Sequence, residues 1–443
     1  MKHTTILTLL FIISIFSLSA SNVGKRYPSE KFSFADRITG RTITVLTASE
    51  FSDAKPYQTH ETWTSDGNWI IFRSNRGGNG SQIYVVNEIT GDIVQLTDDK
   101  TVNSGSINLS RKEMKLFYLR GGRTRAESDE NSKPVQIVEL NIGDLLRDAM
   151  NAELKADNSY ERIVSTLPQD MRAGAMALDA DESKLYIGIS FPQPQVTRQT
   201  NAAAETNSRT SIDNKNTDPS ESRDDARKRF ELAGKGKSGI RSIDIATGKI
   251  AKVIDIDIRL GHLQCNPWTA GEIIYCHETT GDAVQRIWSV RADGSNNRPI
   301  YNETPDEWIT HETVCGKDEV MFLIMGHLPY LREKPTGIAV LNLRNGQMKL
   351  LGQIDENMNN GQMGGFWHCN GSPDGLWAVG DTFKGSIYSI NRITGERKML
   401  TTGHVMKPDH THPIFSADSK RILIQSGMLS GGKALNLMTI QVE

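Results

Sequence analysis

Hydrophobic and polar positions alternate along this chain in short segments, which are separated by turns that contain serine, aspartate and glycine. The pattern is clearest in residues 63–97 and 371–401. There, a turn related to Ser-x-Asp-Gly precedes an apolar segment, an aromatic-containing segment, Thr-Gly and a closing segment. The period-two alternation and the turn residues predict antiparallel β-strands. We therefore expect a repeated unit of about four short strands.

Weaker copies of this unit begin near residues 109, 178, 268, 315 and 415, which brings the total to about seven. The predicted fold class is all-β, a seven-bladed β-propeller. The strand-like segment Arg41–Leu46 precedes the first unit, so we expect it to complete the last blade and remove the free sheet edges. An elongated β-solenoid or a two-domain sandwich is the alternative arrangement of such strands.

The chain has 443 residues, of which 37% are hydrophobic and 23% charged, and its net charge is -2. This composition is typical of a folded protein, and the small net charge argues against a nucleic-acid binder. Residues 1–20 combine Lys2 with an apolar run and small residues near Ala20, which predicts a cleaved signal peptide and a periplasmic location. Residues 21–443 then form a single propeller domain, and no later apolar stretch is long enough to span a bilayer.

Two further features concern the order and the cross-links of this domain. Residues 193–223 are polar and almost free of aliphatic side chains, which predicts a flexible insertion. Cys265 and Cys276 could lie on neighbouring strands of one hairpin, and export would permit a disulfide, so this pairing is left open. Nothing in the pattern indicates an oligomeric state.

Five histidines lie at or just before the first strand of a predicted blade, where the innermost strands converge on the propeller axis: His262, His311, His368, His410 and His412. On a strand, His410 and His412 project from the same face and can grip a metal ion. Such a set suits Mn²⁺, Zn²⁺ or Fe²⁺ better than Ca²⁺, which prefers oxygen ligands. Taken singly, each could instead be a hydrogen-bonded residue at a strand entry. His277 ends a strand and could contact a ligand or cap a turn.

Several segments together resemble the oligogalacturonate lyases, a family of seven-bladed propellers that degrade pectin. Each segment alone is a weak signal, but their order and spacing agree over most of the chain. The matching segments are Leu260-Gly261-His262, Cys276-His277-Glu278, Thr310-His311-Glu312, the run from His368 to Asp381, and His410-Thr411-His412-Pro413. The resemblance implies a metal-dependent lyase that acts on short acidic oligosaccharides.

The resemblance also implies roles for single residues. His262 is the expected proton-abstracting base, and His311, His410 and His412 are the expected ligands of a divalent ion, Mn²⁺. The family has a glutamine ligand three positions before the histidine pair, where this chain has Lys407. A protonated lysine cannot coordinate a metal, so a water or another side chain completes the shell, or the ion binds weakly, or the substrate differs. We assign Lys407 to substrate binding. His277 and His368 are assigned to substrate binding as well, and Arg241 is the candidate for the family's catalytic arginine.

Elimination from a uronate requires removal of the proton at C5, next to a carboxylate whose charge must be neutralised. A neutral imidazole is a suitable base near neutral pH. Hydrolysis would call for two carboxylic side chains, and no acidic pair stands out at the blade starts. Two alternatives remain at this point. One is a non-catalytic binding propeller of the Tol type, and the other is a lyase of the same fold that acts on a different uronate glycan.

Overall fold

The structure is a computed structural model that describes residues 21–122, 133–191, 234–278, 285–303, 307–324, 337–354 and 365–442, together with five isolated positions between 222 and 232. The predicted signal peptide, residues 1–20, lies outside the described residues, as does almost all of the predicted insertion, residues 193–223. None of the helices among the described residues has the length and apolar character needed to cross a membrane.

Short strands account for nearly all of the regular structure. The first half of the chain contains β1 (Arg26–Tyr27), β2 (Phe32–Ala35), β3 (Thr42–Val45), β4 (Trp69–Ser74), β5 (Gln82–Asn87), β6 (Ile93–Gln95), β7 (Val102–Leu109), β8 (Lys115–Gly122), β9 (Lys133–Asn141), the helix α1 (Ile142–Asn151), β10 (Glu161–Thr166), β11 (Arg172–Leu178) and β12 (Lys184–Ser190). Short 3-10 helices lie at Asp157–Ser159 and Met428–Ser430.

The second half continues in the same manner. It contains β13 (Lys235–Asp244), β14 (Ile250–Ile258), β15 (Leu260–Cys265), β16 (Glu272–His277), β17 (Ile287–Arg291), β18 (Arg298–Pro299), β19 (Ile309–Gly316), β20 (Glu319–Ile324), β21 (Gly337–Asn342), β22 (Met348–Gln353), β23 (Phe366–Gly371), β24 (Trp377–Thr382), β25 (Ile387–Asn391), β26 (Arg397–Thr401), β27 (Ile414–Phe415), β28 (Arg421–Ser426) and β29 (Asn436–Gln441).

These strands form seven antiparallel sheets, which are the blades of a propeller. Blade 1 contains β4, β5, β6 and β1, blades 2 to 6 contain four consecutive strands each from β7 to β26, and blade 7 contains β27, β28, β29, β3 and β2. In blades 2 to 7 the first strand in chain order is the innermost, and these strands contact one another around the channel. The prediction of a seven-bladed propeller is confirmed.

The repeated turns are built from one hydrogen-bonding pattern. Ser372 Oγ donates to Asp374 Oδ1 at 2.5 Å and accepts from the backbone nitrogen of Trp377 at 2.8 Å. Thr64 and Asp66 make the equivalent contact at 2.6 Å, and Ser416 donates to Asp418 at 2.6 Å. These side chains form hydrogen bonds with backbone groups that would otherwise lack partners at the turn. The Ser-x-Asp-Gly pattern therefore marks the positions of this turn in the sequence.

The ring closes through a strand from the amino-terminal part of the chain. β3 pairs with β29, with Val45 opposite Met438 and Ile43 opposite Ile440. Ile43 is completely buried in a cluster formed by residues of blades 6 and 7. The predicted closure by Arg41–Leu46 is confirmed, and β2 adds a fifth strand outside it.

The two cysteines considered for a disulfide lie on adjacent strands of blade 4. However, Cys265 lies opposite Ile273 and Cys276 lies opposite Gly261, so the two residues do not face each other. Both are free thiols in the structure.

Candidate functional site

A β-bulge in the innermost strand brings a histidine into the channel in blades 4 and 5. In β15, His262 and Leu263 both lie opposite the single residue Tyr275, because the pairing shifts between Gly261 and Gln264. In β19, His311 and Glu312 occupy the same two positions between Thr310 and Thr313. Such bulges redirect side chains and are frequent next to active sites.

The backbone at these histidines adopts an unusual conformation. The φ angles of His262, His311 and His412 are 47°, 55° and 45°. This left-handed region is disfavoured for residues other than glycine and costs on the order of 1–3 kcal/mol for each residue. Three histidines that share this conformation around one channel indicate a functional centre.

Four imidazole rings form a compact set that we call the histidine group: His311, His368, His410 and His412. The ring centroid of His368 lies 4.0 Å from that of His412, 4.4 Å from that of His311 and 5.4 Å from that of His410. His368 is therefore the centre of the group, whereas the sequence assigned it only to substrate binding.

Hydrogen bonds at Nδ1 orient two of these rings. The Nδ1 atom of His311 donates to the carbonyl oxygen of Trp367. Nδ1 of His368 lies 3.1 Å from Oδ2 of Asp381, a completely buried carboxylate that also accepts from the hydroxyl of Thr411 at 2.6 Å. Because a carbonyl or carboxylate oxygen only accepts, Nδ1 of each ring carries the proton. Nε2 is left with a lone pair in both rings.

His412 differs from these two rings because both of its nitrogens have partners. Nδ1 lies 3.0 Å from Oε1 of Gln58, and Nε2 lies 3.2 Å from Oδ1 of Asp409. Asp409 is held as an anion, since His412 and His410 lower the pKa of its carboxyl even though burial, the largest single influence, raises it. A ligand role for His412 therefore requires one of these two contacts to open.

Burial and mutual repulsion favour the neutral form of three of the rings, those of His311, His368 and His410. Burial lowers the pKa of His311 well below 6.5, and the neighbouring His368 and His262 lower it further. Burial, together with His412 and His410, likewise lowers the pKa of His368 well below 6.5. The pKa of His410 is also lowered, chiefly by burial. Neutral imidazoles offer lone pairs at neutral pH, so this donor set fits a divalent metal ion.

His262 lies beside the histidine group and not within it. Its ring is stacked with that of His311 at a centroid distance of 6.3 Å, and its Nδ1 atom lies 3.4 Å from Oε1 of Glu312. Burial, the largest influence, lowers the pKa of His262, but the carboxylate of Glu312 outweighs it, so the pKa is raised above 6.5. His262 therefore differs in electrostatics from the rings that could bind metal.

A second set of donor atoms involves the same histidine. Among the described residues, His262, Cys276 and Glu312 form the one group of three potential ligands whose donor atoms all lie within 4.8 Å of one another, and the predicted set of His311, His410 and His412 is not such a group. Burial raises the pKa of the Cys276 thiol well above 9.0, so the thiol stays protonated. A thiol is also a poor ligand for Mn²⁺, which prefers harder donors.

Three residues assigned to the site from the sequence have other surroundings in the structure. Arg241 lies on β13, the third strand of blade 3, where its Nη2 atom pairs with Asp255 at 2.7 Å and its Nη1 atom donates to two backbone carbonyls. The ring of His277 stacks on Trp288 at 4.5 Å, and burial lowers its pKa to about 4. Lys407 is exposed. The catalytic role of Arg241 and the substrate contacts of His277 and Lys407 stay predictions.

The structure adds a phenol ring to the site. Tyr57, in the segment before the first repeat, has its ring centroid 5.1 Å from that of His412 and 5.4 Å from that of His262. Burial raises the pKa of Tyr57 well above 10.0, so its hydroxyl remains protonated and can donate a hydrogen bond. Tyr57 thus lies between the histidine group and the separate histidine.

The channel continues beyond the histidines into a cavity of about 590 Å³. Gln264, Thr313 and Asn370, each two residues after a channel histidine, line this cavity. The cavity is therefore farther along the inner strands, on the side away from the loops that precede them.

The fold and the site together define an enzyme-like propeller, in which buried neutral imidazoles and a separately held histidine share one channel. The sequence model of the oligogalacturonate lyase family matches residues 202–442. An oligogalacturonate lyase of Dickeya dadantii (strain 3937) is 23% identical over 440 residues, which cover 94% of this chain and 98% of that protein. The chain belongs to the oligogalacturonate lyase family, so the resemblance and the expectation of a lyase are confirmed.

Two solved structures agree with this fold. An oligogalacturonate lyase in complex with manganese has a TM-score of 0.72 at 20% identity, with 95% of this chain and 98% of that chain covered. An oligogalacturonate lyase from Vibrio parahaemolyticus has a TM-score of 0.71 at 18% identity, with 95% and 99% covered.

Proposed function

We propose that this protein is a metal-dependent lyase that cleaves short oligogalacturonates by β-elimination, with His262 as the base. The observation that carries the proposal is that the channel contains two kinds of histidine. Four rings form one group, and the pKa of three of them is lowered. His262 lies outside this group, next to the carboxylate of Glu312. Elimination needs both a site that neutralises charge and a separate proton acceptor.

In the reaction, Nε2 of His262 takes the C5 proton of the uronate. The electrons of the C5–H bond form the C4–C5 double bond, and the C4–O bond breaks with its electron pair on the leaving oxygen. That oxygen takes a proton from water, and the hydroxide left behind takes up the C5 proton from His262 once the product has formed. His262 becomes an imidazolium, and the adjacent Glu312 carboxylate, 3.4 Å from Nδ1, stabilises this charge.

His311, His410 and His412 are the residues that would hold the metal, and the structure adds His368 at their centre and the Asp409 carboxylate beside His412. We propose Mn²⁺ as the ion because nitrogen and oxygen donors suit it. When bound, the ion would neutralise the substrate carboxylate and so make the C5 proton more acidic. Asp409 can supply an anionic oxygen near the pair, which Lys407 cannot.

The carboxylates of the site favour elimination over hydrolysis. Glu312, Asp381 and Asp409 all lie near the channel, which the sequence did not indicate. Each of them contacts a histidine ring, at 3.4, 3.1 and 3.2 Å respectively. A glycosidase needs one carboxyl free to protonate the leaving oxygen and another free to activate water or attack. Carboxylates that hold imidazoles are unsuited to either role.

The test is to incubate the purified protein with di- and trigalacturonate and to follow the ultraviolet absorbance of the unsaturated product. We expect turnover that chelation abolishes and Mn²⁺ restores. A parallel panel of other uronate oligosaccharides separates the alternative substrate from the proposed one. Reducing ends without unsaturated product would indicate hydrolysis, and binding without turnover would support the binding propeller.

The location is part of the same proposal. The apolar run in residues 1–20 supports export to the periplasm, where small acidic oligosaccharides would be met. Fractionation of cells that express the full chain tests this, and recovery with the cytoplasmic fraction would contradict it.

A further inference from the structure

Glu312 occupies a bulge position that is apolar in blades 3 and 4. The second residue of the inner-strand bulge is Ala175 in blade 3, Leu263 in blade 4 and Glu312 in blade 5. Leu263 is completely buried and packs among residues of blades 3 and 4, including Tyr186 and Tyr275. In blade 4 this position therefore fills the layer between two blades, and in blade 5 a carboxylate stands at the equivalent position.

A carboxylate in that layer lowers the stability of the fold. Glu312 has no solvent exposure, and neither of its carboxylate oxygens has a hydrogen-bond partner among the described residues. A buried carboxylate without partners costs several kcal/mol of folding free energy. The Nδ1 atom of His262, 3.4 Å from Oε1, is likewise without a hydrogen-bond partner among these residues. The two unpartnered groups face each other.

We propose that Glu312 is the positioning residue of the base: it accepts the Nδ1 proton of His262, fixes the ring tautomer, and leaves Nε2 free to take the proton from substrate. The proposal rests on the proposed function. The packing of blade 5 alone requires nothing polar at this position, since Leu263 serves it in blade 4. The cost of the buried carboxylate is explained if it acts on the adjacent ring.

Repeat symmetry supplies the test variant. Glu312→Leu installs the side chain that blade 4 carries at the equivalent position, so we expect the fold and its melting temperature to be kept. Without the carboxylate the ring can adopt the wrong tautomer, and we expect kcat to fall by roughly 10²–10³-fold, with KM changed less than about threefold. Glu312→Gln, which can still accept from Nδ1, should be intermediate, and Glu312→Asp should recover part of the loss.

Two controls separate this role from others. Glu88→Gln changes a carboxylate of blade 1 that accepts from Trp63 at 2.8 Å, and it should leave kcat unchanged. Metal content should be equal in wild type and in Glu312→Leu. A parallel loss of metal and kcat would instead make Glu312 a ligand, and retained kcat in Glu312→Leu would overturn the proposal.

A readout without turnover keeps this inference distinct from the proposed function. In protein labelled with ¹⁵N-histidine, the His262 signal, assigned with His262→Ala, reports which ring nitrogen carries the proton. We expect the Nδ1–H tautomer in wild type and a mixture in Glu312→Leu. The same tautomer in both would refute the inference even if the lyase is active. The expected change in a protein that leaves oligogalacturonate intact would refute only the substrate assignment.

Discussion

The inner strands of blades 3 and 4 share one backbone irregularity and differ in what it displays. In β11 the bulge holds Gly174 and Ala175 opposite Gly188, and in β15 it holds His262 and Leu263 opposite Tyr275. The bulge is therefore a feature of the inner strand in this propeller and does not by itself make a site. The chemistry results from placing imidazoles at positions that are small in the neighbouring blade.

The contrast extends around the ring. The bulges of blades 2 and 3 contain the small residues Ser104, Gly105 and Gly174, and we call these two blades the small half of the ring. Blades 4 to 7 carry the channel histidines, and we call them the histidine half. Small side chains at these positions fill less of the channel than imidazoles would. We infer that the sugar ring lies beside the small half, and the predictions below test the division between the two halves.

Making the bulge of blade 4 resemble that of blade 3 gives the largest expected effect. His262→Ala removes the proton acceptor and leaves every member of the histidine group in place, so turnover should fall by about 10²–10⁴-fold. Metal content, measured by elemental analysis, should stay constant. Retained turnover would leave the elimination without a base and would favour the binding-propeller alternative.

The second prediction removes the metal-binding part of the histidine half. The double variant His410→Ala and His412→Ala should lose bound metal and at least about hundredfold in turnover, because two imidazole ligands and their Asp409 contact disappear. His277→Ala is the matched control, since that ring stacks on Trp288 and is not a member of the histidine group. Unchanged metal in the double variant would assign the ion to another place, with the His262, Cys276 and Glu312 group as the first candidate.

The third prediction fills the small half. Gly105 is exposed within the bulge of β7, and a Cβ there would meet only side-chain atoms, of Asn103 at 3.3 Å and Arg73 at 3.4 Å. Gly105→Phe should therefore fold. If the sugar occupies this side, KM should rise by roughly three- to tenfold with a smaller change in kcat. Steady-state kinetics on trigalacturonate checks this, and an unchanged KM would place the substrate elsewhere in the channel.

The fold could be predicted from the sequence because the repeated turn requires particular side chains, which appear as the Ser-x-Asp-Gly pattern. The sequence also predicted that histidines meet at the axis, because chain position within a repeat determines distance from the axis. Bulges are not visible in this way: strict alternation does not show that His311 faces the channel while Glu312 faces His262. A one-residue insertion in a strand changes which face a side chain takes.

Features that the sequence did not indicate have equally local causes. Arg241, assigned from the resemblance, lies on the third strand of a blade, about 10 Å from the innermost one at roughly 4.8 Å per strand. Asp381 lies 13 residues after His368 and reaches it only because β23 and β24 pair in that register. Tyr57 precedes the first repeat, so no periodic signal marked it. A pattern along the chain does not predict contacts between strands or contacts made by residues outside the repeat.

The smallest expected effect is a displacement of the pH profile, and it tests whether the electrostatic difference between His262 and the histidine group is real. The base must be neutral, and the pKa of His262 is raised above 6.5 because Glu312 outweighs the effect of burial. The ratio kcat/KM should therefore increase with pH through a midpoint above 6.5 and fall about tenfold per pH unit well below it. Glu312→Gln removes the charge but leaves the burial, so the normalised profile should move to lower pH. A midpoint that stays in place in this variant would mean that the acid limb reports another group, and the distinction drawn between His262 and its neighbours would lose its electrostatic basis.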